Sequence, residues 1–371
     1  MPTHSLKAAA APEKLNLIGL EQSALSEFFE GLGEKSYRAR QVMSWLYRRG
    51  VLTFREMTDI SLRVRRQLDL VATLDLPRVI RTEESSDGTR KWLLDVGSGQ
   101  AVESVFIPEP NRNTLCISSQ AGCVLDCAFC ATGQQGFNRN LSAAEILGQV
   151  MVVKRDMGPD VALSNIVFMG MGEPLANYRN VVPVAKLLVD DHAFGLSRRR
   201  VTISTAGLVP QLIRLGEDCN VALAVSLHAP NDQLRDELVP INKRHPIKEL
   251  LDACWCYADR LASRQVTFEY VMLRGVNDLP EHSRQLVKLL RDRPAKINLI
   301  PFNPFPGARY ECSTARVIDD FCEQLRSSGI VATIRRTRGD DIAAACGQLA
   351  GQVRDRTRVR LGEKTFRSVR L

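Results

Sequence analysis

Thr114-Leu-Cys-Ile-Ser118, and just beyond it Cys123-Val-Leu-Asp-Cys127-Ala-Phe-Cys130, form the stretch on which the reading of this 371-residue chain turns. The first piece is a short run of strand type, with Thr114, Cys116 and Ser118 on one face and Leu115 and Ile117 on the other. The second places three thiols within eight residues at a C-x3-C-x2-C spacing. Working outward, further apolar runs recur at 164–169, 200–205, 221–227, 266–272 and 296–301, and helix-like stretches separate most of them. Six such units predict an α/β fold of parallel strands joined by right-handed crossovers, either a partial barrel or a doubly wound sheet. Ser142-Ala-Ala-Glu145 reads as the capping box that opens the first crossover helix. Gly170–Glu173, Ser204 with Thr205, Ser226 with His228, and Asn303 each fall at or just past a strand's carboxyl end, the mouth where (β/α) barrels bind ligands.

The number of thiols in the loop is informative. Thiolates hold iron–sulfur clusters, normally four to a cluster, so three leave one iron of a four-iron cluster open to a small ligand. A structural zinc site would want a fourth ligand at close spacing, and the nearest downstream histidine is His192. The chain has ten cysteines, and residues 1–20 hold only a four-alanine apolar stretch, broken by Pro12. No run approaches the ~18 apolar residues of a membrane helix. These features predict a cytoplasmic chain with reduced thiols and no membrane partner.

Hydrophobic residues at 44% and charged residues at 25% exclude wholesale disorder and collagen-like repeats, and a net charge of +8 admits a polyanion partner. The length corresponds to about two and a half domains. Residues 1–14 read as a flexible tail and 15–76 as a helical module, with Leu25, Phe28, Phe29, Val42, Trp45 and Leu46 at helical spacing. In that module Arg38, Arg40, Arg48, Arg49, Arg55, Arg63, Arg65 and Arg66 are interleaved with Tyr37, Trp45 and Tyr47, the texture of a nucleic-acid surface or equally of a core with a solvated basic face. Between 77 and 110 the period changes to two, with Asp87-Gly88 and Gly97-Ser98-Gly99 as turns, which predicts a small antiparallel sheet. Its last strand places Glu103 in apolar company, either buried and desolvated as a candidate base or at an edge in water. Residues 111–350 form the predicted barrel. From Thr314 onward the pattern predicts helix, strand (330–335), loop and helix, and a tail over 351–371 that carries net +5 from residue 352.

Two more cysteines stand out. Cys116 shares the polar face of the first barrel strand, and Cys346 follows Arg338-Gly-Asp-Asp341, which reads as a loop feeding a helix start. The C-x3-C-x2-C loop and Gly170-Met-Gly-Glu173-Pro174 resemble radical S-adenosylmethionine (SAM) enzymes. SSDGTRKW (85–92), SSQAGCVLDCAFCATGQQGFNRNL (118–141), GMGEPLAN (170–177), RRVTISTAG (199–207), SLHAPND (226–232), VPINK (239–243), KINLIPFNPFPGA (296–308) and TRGDDIAAACGQLAG (337–351) closely resemble one family within that class, the adenine-C2 methyltransferases of 23S ribosomal RNA and transfer RNA.

The resemblance implies a partial (β/α)6 barrel with a helical accessory domain and a small β extension. It implies a 4Fe-4S cluster on Cys123, Cys127 and Cys130, and SAM held by Gly172, Glu173, Ser204, Ser226, Leu227, His228 and Asn303. Cys346 would carry the methyl group, Cys116 would release the product by forming a disulfide, and Glu103 or Cys116 would take the ring proton. Two SAM molecules would serve each turnover. The implied partners are 23S rRNA, tRNA and an electron donor such as flavodoxin, with the protein a monomer. Cys219, Cys254, Cys256, Cys312 and Cys322 match no motif and read as structural. The rival readings are methylation at carbon 8 of the same adenine by the antibiotic-resistance relative and, from another class, a zinc-stabilised RNA-binding protein without catalysis.

Overall fold

The computed structural model describes residues 14–261 and 265–356; the predicted N-terminal tail, apart from Lys14, and the basic C-terminal tail beyond residue 356 lie outside them. Its centre is one ten-stranded sheet, whose strands we number along the chain: β1 Arg78–Glu84, β2 Arg90–Asp95, β3 Ala101–Glu109, β4 Arg112–Cys116, β5 Asn165–Phe168, β6 Val201–Thr205, β7 Ala222–Ser226, β8 Val266–Met272, β9 Ala295–Pro301 and β10 Val331–Ile334. Their spatial order is their sequence order. β1 to β4 pair antiparallel, and β4 to β10 pair parallel.

Two expectations change in detail. The predicted small sheet over 77–110 is continuous with the barrel, because β3 pairs directly with β4 in register, Val105 opposite Cys116. The barrel also gains a seventh parallel strand, β10, which the 330–335 run supplies beside β9. The sheet ends at β1 and β10 and does not close. The parallel strands read as apolar runs because helices cover their outer face while the inner face lines the barrel. The first crossover helix, Ala143–Met157, starts at the predicted capping box, with Ser142 Oγ accepting from Glu145 N and the Glu145 carboxylate accepting from Ser142 N. It buries every residue from Ile146 to Val153, so this stretch is enclosed on all sides.

The N-terminal module consists of helices Gln22–Gly31, Arg38–Met43 and Leu62–Val71, the second continuing as a wider turn over Ser44–Arg48. Its aromatics divide: Trp45 and Tyr47 are core, and Tyr37 is exposed. The helix expected after Arg338 does not form. Only a short turn, Asp340–Ile342, follows, and the chain through Cys346 is irregular. Asp341 is taken up by the Ser85 hydroxyl and the Ser86 amide instead of capping a helix. Among the described residues no helix is long and apolar enough to cross a membrane.

Candidate active site

The carboxyl ends of β5 to β9 open on a cavity with about 950 Å3 of atom-free space, counted to its open mouth. Cys123, Cys127 and Cys130 line it, and Cys346 lines it from a neighbouring loop. The two loops are joined at their backbones: Ala131 N donates to Gly347 O at 2.8 Å, and Thr132 Oγ1 donates to Leu349 O at 2.6 Å. Burial pushes the Cys127 and Cys130 thiols up, and for Cys127 the neighbouring Cys123 and Cys130 add to it. Ligation of a cationic cluster would supply what burial opposes, since metal ligands bind as thiolates. Among the described residues no three His, Cys, Asp or Glu side chains converge on a single metal-ion position. The donor set is instead three thiols around an open space.

At the end of β5, Gly170-Met-Gly-Glu173 turns tightly because it must. A Cβ on Gly170 would stand 2.7 Å from Ile117 O, and one on Gly172, whose φ is +100°, would stand 2.5 Å from Gln120 Cβ. Glu173 then lies buried, accepting from Leu175 N at 3.0 Å and Ala206 N at 2.8 Å, and burial lifts its carboxyl to about 7. His228, past the end of β7, holds φ at +57°, a left-handed conformation rare for a residue with a side chain. Its Nδ1 accepts from Val271 N at 3.0 Å, which puts the ring proton on Nε2, and burial drives its pKa down to about 3, so the ring is neutral. Phe129 of the cysteine loop meets it edge-to-face, with centroids 4.5 Å apart.

Cys116 is buried at the end of β4, beside Cys346. Burial and then the charge of Cys346 raise its thiol to about 12, with Arg335 acting in the opposite direction. The loop that carries Cys346 is held from the β extension. Lys91 of β2 donates to Ile342 O and Ala343 O and pairs with Glu103 Oε1 at 3.2 Å. Glu103 Oε2 accepts from Ala350 N at 2.9 Å, and Asn303 Nδ2 donates to Cys346 O at 3.1 Å.

Comparisons with known proteins now bear on this arrangement. Residues 15–74 match the model of the ribosomal RNA large subunit methyltransferase N-terminal domain, and residues 117–289 match that of the radical SAM superfamily. The dual-specificity RNA methyltransferase RlmN of Alkalilimnicola ehrlichii is 56% identical over 345 residues, covering 93% of this chain and 96% of that protein. The chain belongs to the RlmN family of dual-specificity RNA methyltransferases. A crystal structure of a radical SAM methyltransferase from Sphaerobacter thermophilus superposes with a TM-score of 0.84 at 42% identity, over 90% of this chain and 99% of that one.

Of the residues to which the RlmN resemblance gives roles, Cys123, Cys127, Cys130, Gly172, Glu173, Ser204, Ser226, His228 and Cys346 line the one cavity. Four stand behind its wall. Leu227 is wholly buried, Cys116 lies close to Cys346, Asn303 grips the Cys346 carbonyl from a smaller adjoining cavity, and Glu103 sits beneath the Cys346 loop. Glu103 is therefore neither the bare buried carboxylate nor the edge residue in water that its strand pattern allows. It is buried and ion-paired, because β3 is flanked by β2 and β4. Sequence reasoning missed Glu269 and Arg335, which also line the cavity, and Lys91. Glu269 leaves a signal, a lone acid inside the apolar run Val266–Met272.

Proposed function

We propose that this chain is a radical SAM methyltransferase that adds a methyl group to carbon 2 of an adenosine in 23S ribosomal RNA and, next to the anticodon, in transfer RNA. The observation that carries this reading is that three cluster-type thiols and Cys346 line one cavity, with the buried Cys116 close enough to Cys346 to feel its charge. The donor set fits a 4Fe-4S cluster on Cys123, Cys127 and Cys130, and the strand ends fit SAM along Gly172, Glu173, Ser204, Ser226 and His228, with Leu227 in the wall behind them. Bound together, the two groups supply the methyl group and the hydrogen-abstracting radical chemistry that an aromatic carbon without an acidic hydrogen requires.

The chain's own residues do the rest. Cys346 holds the methyl group on its sulfur, at the wall between the cofactor space and the incoming base. Cys116 attacks that sulfur to form a disulfide, which breaks the carbon–sulfur bond and frees the RNA. For the ring proton, Cys116 stands beside Cys346, while the Glu103 carboxylate is engaged by Lys91 and Ala350 N and positions the loop. Asn303 holds the Cys346 carbonyl on the opposite side.

The N-terminal module offers the RNA an exposed Tyr37 with the Arg38 guanidinium 4.9 Å from its ring centroid, and Arg49 over Trp45 at 3.9 Å. The target adenosine enters unstacked, as any base modified inside an enclosed site must. A flavodoxin-type electron donor, a monomeric state and a cytoplasmic location complete the reading. The test is methylation of defined 23S rRNA and tRNA fragments by the anaerobically reconstituted enzyme, with the product mapped by mass spectrometry. A methyl group on carbon 2 is expected, and one on carbon 8 would overturn the assignment.

A further inference from the structure

Arg235, on the short helix Asp232–Leu238, is wholly buried and has no part in the chemistry above. Its guanidinium donates four hydrogen bonds, each to a neutral acceptor: Nε to Leu227 O at 3.1 Å, one terminal nitrogen to Asn242 Oδ1 at 2.9 Å, and the other to Ala206 O at 2.7 Å and Ser226 O at 3.0 Å. Three of the four are carbonyls just at or past the carboxyl ends of β6 and β7. Ser226 and Ala206 face the cavity, and the Ala206 amide holds Glu173. Asn242 stands between the cation and the nearest acids, its Nδ2 donating to Asp236 Oδ1 at 2.7 Å and Asp232 Oδ1 at 3.0 Å. Burial lowers the Arg235 pKa to about 10, so the group stays charged at neutral pH.

A buried cation without a contacting carboxylate is unfavourable unless its hydrogen bonds do something an apolar side chain could not. Parallel strands part beyond their last ladder bond, and only a planar fork with fixed donors can gather carbonyls from two of them at once. We propose that Arg235 is a positioning residue that ties the ends of β6 and β7 into one lip and so presets the wall on which SAM is bound. It acts through the Ala206, Ser226 and Leu227 backbone and does not itself line the cavity. This inference rests on the assignment of the cavity to SAM.

The test uses the full chain, reconstituted anaerobically and left unreduced so that no turnover occurs. SAM affinity is measured by equilibrium dialysis per intact cluster, well below the melting temperature, for the wild type, Arg235→Lys and Arg235→Gln. Lys keeps the charge and loses the fork; both variants should bind SAM at least about tenfold more weakly, the scale seen when an outer partner of a ligand is removed, with iron content unchanged. Wild-type affinity in either variant would overturn the role of Arg235. A wild type that binds no SAM would instead overturn the cofactor assignment. Should the variants fail to fold, hydrogen exchange of the wild type decides. Amides at 204–207 and 226–229 already protected without SAM support a preset lip, and amides protected only when SAM is added overturn it.

Discussion

The two sides of the cavity are built differently. The side formed by β5 to β8 is secured by a continuous parallel ladder, with helices behind it and Arg235 joining two strand ends. The side that carries Cys346 has only one short turn, Asp340–Ile342. Its order comes from side chains reaching in from the β extension, from Asn303, and from two bonds to the cysteine loop. A wall that only binds a cofactor can be rigid. On the proposed mechanism, a segment whose cysteine meets the cofactor, then the RNA base, and then Cys116 needs contacts that can be exchanged, and isolated tethers provide that where a ladder would not. The comparison gives the small sheet a purpose: it anchors the loop.

Replacing the sulfur on the tethered side has the largest effect. Cys346→Ala should abolish RNA methylation while leaving iron content and SAM binding intact, because the three cluster-type thiols and the strand ends are all still in place. Retained methylation would remove the two-cysteine scheme. Cutting the main tether comes next. Lys91→Met leaves the buried Glu103 without its cation, a loss of about 3–5 kcal/mol when one partner of a buried pair is removed. Methylation should fall more than about tenfold while SAM affinity stays within about twofold. A parallel loss of SAM affinity would show that the two sides are not independent.

A peripheral tether should matter less. Asp341→Asn loses the charge on the bonds from Ser85 and Ser86, and at an exposed loop such bonds contribute little, so a drop in rate of a few-fold at most is expected. The smallest effect belongs to the rigid side and depends on pH. Glu173 has a pKa raised from 4.5 to about 7, so the folded state keeps a proton that the unfolded chain has released. Stability of the SAM-free protein should therefore decline as pH rises from about 4.5 to about 7, by a few kcal/mol at most, and Glu173→Gln should flatten that slope in thermal melts. An unchanged slope would mean that Glu173 is not the source.

The rigid side was the legible one. Apolar runs, glycine turns and polar strand ends are local features, and they located all seven parallel strands, six of them as barrel units, and the polar strand ends that line the cavity. The tethered side was less so, because its order comes from contacts between positions some 250 residues apart. Nothing near Lys91 announces that it will bind Ile342 and Ala343, and nothing near Asp341 announces Ser85. Acidic residues before an alanine run resemble a helix start, and their tertiary partners prevailed over that local preference. Glu103 belongs with the tethered side: its strand pattern left burial or an edge position open, and its partners came from β2 and from residue 350.

The central claim is that Cys346 carries the methyl group to the RNA and Cys116 frees it. The most direct measurement is mass spectrometry of Cys116→Ala protein after anaerobic reaction with substrate RNA and methyl-deuterated SAM. A covalent adduct joining Cys346 to the target adenosine through one labelled carbon is the predicted result. Free methylated RNA at the wild-type rate, with no adduct on Cys346, would contradict it.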